Sequence, residues 1–98
     1  GFKPDIIHCH DWQTGLIPVY LKDRFNSGEY YSNIKTVITI HNLKFQGVWD
    51  LKKTMDITGL DKYYFTSDKL EAYGDANYLK GGITYADRVT TVRSLTVL

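Results

Sequence analysis

The sequence predicts an α/β fold built on a short parallel sheet, and three stretches carry that prediction. Residues 5–10 (DIIHCH) hold Ile6, Ile7 and Cys9 in an apolar run without helical spacing, as expected of a strand covered on both faces of a parallel sheet. Residues 36–40 (TVITI) are β-branched throughout, and such side chains suit the pleated surface of a strand. Residues 88–92 (RVTTV) form a third short β-rich run. Helical stretches separate the three, the alternation that favours parallel strands joined by crossovers. The expected object is a partial Rossmann-like three-layer domain in the order β-α-β-α-β, with too few strands for a complete one.

Between the first two strands, residues 12–25 repeat bulky side chains at Trp12, Leu16, Ile17, Tyr20, Leu21 and Phe25, the spacing of a helix with one buried stripe. Asp11 stands where an N-cap would. Pro18 is the awkward residue, because an interior proline removes a backbone donor, so this helix starts late or bends. Residues 26–33 are polar and read as a loop. After the second strand, residues 41–50 have no clean period, and residues 51–60 form a short, weak helical stretch with Gly59 as its stop. Residues 63–74 are aromatic and charged without regular pattern. Residues 75–86 place Tyr78, Leu79, Gly82, Ile83 and Ala86 on one helical face behind an Asp75 cap, and the Gly81 and Gly82 pair permits close packing there.

Composition narrows the function classes. The 98 residues carry 12 Lys+Arg against 11 Asp+Glu, a net charge of +1, which gives no reason to expect nucleic acid or a membrane as partner. Hydrophobic content of 43% supplies a core for one small domain, which at this size buries about 60–65% of its unfolded surface. The single cysteine, Cys9, excludes an internal disulfide and fits a reducing compartment, so the cytoplasm is the expected location. The start without Met and the apolar end SLTVL lead us to expect a piece of a longer protein.

In open parallel sheets, ligands bind at the carboxyl ends of the strands. His10 and Asp11 lie at the end of the first strand and His41 and Asn42 at the end of the second, and a crossover of about thirty residues commonly makes such strands neighbours. The two polar clusters are therefore expected on one rim, where imidazole, carboxylate and carboxamide groups suit the several hydroxyls of a sugar ring. The loop at residues 45–47 could close over it. Blander roles compete: Asp11 as a helix cap, His8 as a satisfied core histidine, His41 as a strand end. A metal reading competes as well, because His8 and His10 share one face of the strand, as two ligands would, with Asp11 or His41 to complete the set. No Gly-x-Gly-x-x-Gly or Walker loop is present. The eight tyrosines, Tyr30, Tyr31, Tyr63 and Tyr64 among them, could stack on sugars or serve an interface.

Three blocks of the chain, KPDIIHCHDWQTGLIPVYL, TVITIHNLKFQG and NYLKGGITYADRVTTV, closely resemble successive blocks of bacterial glycogen synthases and plant starch synthases, in the right order from Lys3 to Val92. The resemblance implies a retaining glycosyltransferase of the two-Rossmann-domain (GT-B) type that moves glucose from ADP-glucose to the non-reducing end of an α-1,4-glucan without a metal or other cofactor. Residues 1–92 would be the later part of its N-terminal domain. The resemblance makes His41 and Asp11 the expected catalytic residues at the sugar site, with His10, Gln13, Asn42 and Gln46 as substrate-binding neighbours. The tail at residues 93–98, RSLTVL, departs from the family's Ser-Pro-x-Tyr-Ala continuation. The family's Lys-x-Gly-Gly-Leu loop is missing, as is its nucleotide-binding domain, so the piece alone is expected to be inactive and to self-associate through an unpaired edge strand. A metal-dependent hydrolase fragment using the His8 and His10 pair, or a non-catalytic carbohydrate-binding module, remains the alternative.

Overall fold

The computed structural model describes residues 4–24 and 29–92. Part of the expected loop at 26–33 and the 93–98 tail lie outside them. Three parallel strands, β1 (Ile6–His10), β2 (Lys35–Ile40) and β6 (Arg88–Thr91), form one sheet with β2 in the centre. His10 of β1 lies beside Thr39 of β2, and Ile38 lies beside Val89 of β6. The three expected strands and their parallel order are thus present.

One face of the sheet makes the core. Cys9, Ile38 and Ile40 are buried there together with Leu79 of α4 (Tyr78–Tyr85). The other face carries His8 and His10, which are exposed, so β1 is covered on one face by the described residues where burial on both was expected. Its apolar run marks only the alternate positions Ile7 and Cys9 as inward. Ile6 is exposed.

The helix after β1 resolves the Pro18 problem by starting late. Trp12–Thr14 forms a 3-10 turn, and α1 spans Leu16–Arg24. Pro18 is the third residue of α1 and fully buried, in the first turn, where a backbone N–H would have no intrahelical partner to lose. Asp11 does not cap this segment, contrary to expectation: its side chain makes no capping bond, and its φ of 58° turns the chain away from helical geometry. A four-residue helix, α2 (Glu29–Ser32), leads into β2.

The poorly patterned middle folds as a second, antiparallel sheet of very short strands, β3 (Val48–Trp49), β4 (Glu71–Ala72) and β5 (Asp75–Asn77), in the order β3-β5-β4. Tyr73 and Gly74, both at positive φ, make the tight turn between β4 and β5. Asp75 therefore begins a strand instead of capping a helix. The cap of α4 is Asn77, whose Oδ1 accepts the Lys80 N–H at 2.9 Å. The expected short helix at 51–60 is α3 (Leu51–Thr58), capped by Asp50 and stopped by Gly59 in the left-handed conformation. No helix among the described residues is long and apolar enough to cross a membrane.

Helix α4 is wedged between the sheet and α1, and small residues make this fit. A Cβ on Gly82 would stand 2.6 Å from Ile38 Cδ1 and 3.1 Å from the Gly15 backbone. A Cβ on Gly15 would stand 2.2 Å from the Tyr78 carbonyl oxygen, a clash with backbone that no rotamer relieves. Beyond α4 a second cluster buries Val19, Leu60, Tyr64, Phe65, Leu70 and Ala76. The Tyr64 hydroxyl donates to Asp23 at 2.8 Å, and burial, followed by that carboxylate, pushes its pKa up to about 12.

Strand β6 is clasped to β2 by Asp87. Its carboxylate accepts the buried Thr36 N–H at 2.7 Å, and Lys22 stands 3.6 Å away. The Thr36 amide and then Lys22 hold this carboxyl below its ordinary range against the opposing effect of burial.

Two outcomes test this packing. Gly15→Ala should cost about 3 kcal/mol or more, and Gly82→Ala about 1–3 kcal/mol, by overpacking. Gly74→Ala, with open space around it, should cost only the roughly 1 kcal/mol of its positive φ. Urea midpoints rank the three. A carboxyl with a lowered folded-state pKa contributes stability that is present above its unfolded pKa of about 4 and lost as pH falls through the folded value. Asp87→Asn should therefore be less stable at pH 7 and lose less on acidification, read from urea unfolding at pH 7 and pH 3.

Candidate functional site

The register of β1 and β2 brings the ends of the two strands together. The Asp11 N–H donates to the Thr39 carbonyl at 3.0 Å, the last rung before the strands part. The Asp11 carboxylate then reaches across: its Oδ1 accepts the His41 N–H at 2.7 Å and, more weakly, the Asn42 N–H at 3.4 Å. Asp11 reaches this position only through its positive φ, a conformation that costs a non-glycine residue of the order of 1–3 kcal/mol. Thr14 holds the bend from the other side. Its hydroxyl accepts the His10 N–H at 2.7 Å and donates to the His10 carbonyl at 2.8 Å.

The histidines form a row on the rim. His8 and His10 stack at 4.2 Å between ring centroids, and His10 Nδ1 lies 3.0 Å from His41 Nε2, a contact in which one nitrogen carries the proton and the other accepts it. His8 Nε2 bonds the Thr39 hydroxyl at 2.6 Å, and that hydroxyl bonds Thr90 at 2.7 Å. His8 is thus a satisfied histidine but an exposed one. No group of three His, Cys, Asp or Glu among the described residues is arranged to hold a metal ion, so the His8 and His10 pair lacks the third donor that the metal reading needs.

A cavity of about 410 Å³ opens at this rim, lined by Asp11, Trp12, Gln13, Asn42 and Phe45. Asp11, Gln13 and Asn42 of the expected set therefore share one space, with His41 and His10 joined to Asp11 through the bonds above. Gln46 is used otherwise. Its Oε1 accepts from Asn77 Nδ2 at 2.7 Å and its Nε2 donates to the Leu43 carbonyl at 3.1 Å.

The loop at 45–47 is pinned. The first free amides of α4, Tyr78 N–H and Leu79 N–H, donate to the carbonyls of Gly47 and Gln46 at 3.0 and 3.1 Å, which satisfies orphan donors at the helix start. The exposed Phe45 side chain lines the rim cavity. Gly47 has φ of 69°, and its Cα lies against the Trp12 ring, where a Cβ would stand 2.4 Å from the indole. The sequence reading missed Thr14 and Asn77. Thr14, four residues after His10, carried the usual signal of a hydroxyl that bonds nearby backbone.

Chemically, the rim offers a carboxylate, two carboxamides and a pair of imidazoles over an aromatic wall, a set that recognises hydroxyl groups.

The family profile of the starch synthase catalytic domain matches residues 1–96. A glycogen synthase of Lachnospira eligens is 79% identical over 92 residues, which cover 94% of this chain and 19% of that protein. A glycogen synthase of Thermotoga maritima is 53% identical over 90 residues, 92% of this chain and 18% of that protein. Among solved structures, the catalytic domain of Starch Synthase IV from Arabidopsis thaliana bound to ADP and acarbose superimposes with a TM-score of 0.78 at 30% identity, over 89% of this chain and 18% of that one. The parallel α/β arrangement is that of the matched domain. The chain spans about a fifth of the length of these relatives, and it belongs to the starch synthase catalytic domain family.

Proposed function

We propose that the polypeptide to which this chain belongs transfers glucose from ADP-glucose to the non-reducing end of an α-1,4-glucan with retention, and that this chain supplies one wall of the cleft. The observation that carries the reading is the Asp11 carboxylate bonded to the His41 backbone on a hydroxyl-binding rim. Family membership and the relatives named glycogen synthase support it. The donor and acceptor classes take support from the ADP and acarbose in the similar starch synthase structure. In this reading residues 1–92 belong to the first of two Rossmann-like domains, and the tail at 93–98 stands apart from the family pattern. The parent works in the cytoplasm, in line with a single buried cysteine. The outer edges of β1 and β6 are where further strands of the parent's sheet, or a second copy of the isolated piece, would add.

Departure of the nucleotide diphosphate builds positive charge at the anomeric carbon. A fixed carboxylate and fixed dipoles on the sugar face stabilise that charge without reorganising. Asp11 is fixed by the His41 amide at one oxygen, and its other oxygen makes no hydrogen bond among the described residues, so it is free for the sugar. His41, oriented by His10, presents its remaining ring nitrogen to a glucose hydroxyl. Gln13 and Asn42 contact the sugar from the same cavity, and Gln46 acts by holding the loop. The diphosphate needs cations, and no Lys or Arg lines the rim cavity among the described residues, so the 98-residue piece binds one side of the substrate and turns nothing over.

In the full-length parent, His41→Ala should lower kcat by about 10²–10³-fold, the scale for removing one preorganised donor. Asp11→Ala should do at least as much. Asp11→Asn, which can still accept the His41 N–H but has no charge, should keep the fold and still lose most of the rate. Transfer of labelled glucose to glycogen measures all three, and near-normal rates would remove these residues from the site. The isolated 98-residue chain should give no transfer in the same assay, whereas turnover would contradict the one-wall account.

A further inference from the structure

Asn77 performs two tasks with one side chain. Its Oδ1 caps α4 by accepting the Lys80 N–H at 2.9 Å, and its Nδ2 donates to Gln46 Oε1 at 2.7 Å. Serine, threonine and aspartate cap a helix about as well, but among these only the carboxamide accepts one bond and offers an N–H to a second partner. The donor is held rigidly: Asn77 is 5% exposed, and at the end of β5 its own N–H is bonded to the Leu70 carbonyl at 2.7 Å. Gln46 is exposed, so water can satisfy its Oε1 and the bond is not needed to avoid an orphaned acceptor. A serine cap would also spare the fold a buried amino group that has to find a partner. Helix capping and hydrogen-bond satisfaction therefore leave the Nδ2 arm unexplained.

The arm reaches the loop that supplies part of the rim. That loop is anchored at its start by Asp11, whose carboxylate accepts the His41 and Asn42 amides. At its end the anchor is Gln46, whose Nε2 reaches back to the Leu43 carbonyl at 3.1 Å while its Oε1 is held by Asn77. Asn42 and Phe45 lie between the two anchors, and both line the rim cavity. The Oδ1 of Asn42 accepts the Lys44 N–H at 2.9 Å, which leaves its Nδ2 for a sugar hydroxyl. Asn77 itself does not line the cavity. From these contacts we infer that Asn77 is a positioning residue for glucosyl transfer: acting through Gln46, it fixes the 42–46 loop and with it the places of Asn42 and Phe45 at the sugar. Small displacements of groups that orient a substrate cost rate even when they arise away from the reacting atoms.

The role assigned to Asn77 rests on the glucosyl-transfer reading above, and the test separates the two. In the full-length parent, Asn77→Ser keeps the cap and removes the donor. Its urea midpoint should stay close to that of the wild type, while kcat for transfer from ADP-glucose to glycogen falls about tenfold and KM changes less than about twofold. Gln46→Met, at an exposed position, should lower kcat at least as much. Adding Asn77→Ser to Gln46→Met should cost nothing further, because a residue that acts only through Gln46 has no effect once Gln46 is gone. Should Asn77→Ser prove unstable, Asn77→Asp, of equal size and also a cap, takes its place in the same cycle. An unchanged kcat in the Asn77 variant, a loss that persists undiminished in the Gln46→Met background, or a loss of kcat that appears only with a loss of stability would overturn the role. Transfer by the wild type with no effect at Asn77 removes this role alone and leaves the transferase reading. A wild-type parent that transfers no glucose removes that reading and this role with it.

Discussion

A single carboxylate joins the two halves of the candidate site. Asp11 leaves the end of β1 in a backbone conformation that glycine would adopt more cheaply, and its Oδ1 takes the first free amide beyond β2, that of His41. The cost of that conformation is offset by a charge-assisted bond to a backbone N–H, which is stronger than a neutral one. The bond fixes where His41 begins, and the contact between His10 and His41 fixes where its ring points. Alanine at position 11 would lose the bond, and glycine would relieve the strain and lose it too, so an acidic side chain at a strained position is explained by the site and not by the fold.

The rim also depends on packing behind it. Helix α4 reaches the sheet because Gly15 and Gly82 leave no side chains between them. Its first amides are satisfied by the carbonyls of Gln46 and Gly47. The loop after His41 is thereby tied to a core helix, and Asn77 and Gln46 tie it again by side chains. The rim's aromatic wall, Trp12, is positioned by the same loop through Gly47. Core packing, helix capping and site geometry are one connected set of contacts, in which the site needs little of its own to stay in shape.

Much of the sheet was legible because β-branched runs such as residues 36–40 have no other comfortable conformation, and strand ends in a parallel sheet fix where ligands bind. The cluster of Asp11, His41 and Asn42 followed from that rule together with the length of the crossover, which makes the two strands neighbours. The small antiparallel sheet was not legible, since strands of two or three residues are too short to display a period. Asp75 and Asn77 are equally good caps by residue type. Tertiary contacts decide between them, because Asn77 alone can also reach Gln46. Asp11 misled for a similar reason: a residue that caps well locally was recruited by a partner thirty residues away. Burial of β1 on one face was hidden because Ile6 and Ile7 stand side by side, which breaks the alternation of His8, Cys9 and His10 in a stretch only five residues long.

The central claim is that Asp11 and His41 address the same sugar. A crystal structure of the full-length parent with ADP and an oligosaccharide in the cleft measures it most directly. The account predicts the free carboxylate oxygen of Asp11 and a ring nitrogen of His41 within hydrogen-bonding distance of one glucose ring, with the bond from the His41 amide to Asp11 intact. A sugar ring bound away from both groups, or an Asp11 turned from the His41 backbone when the sugar is present, would contradict it.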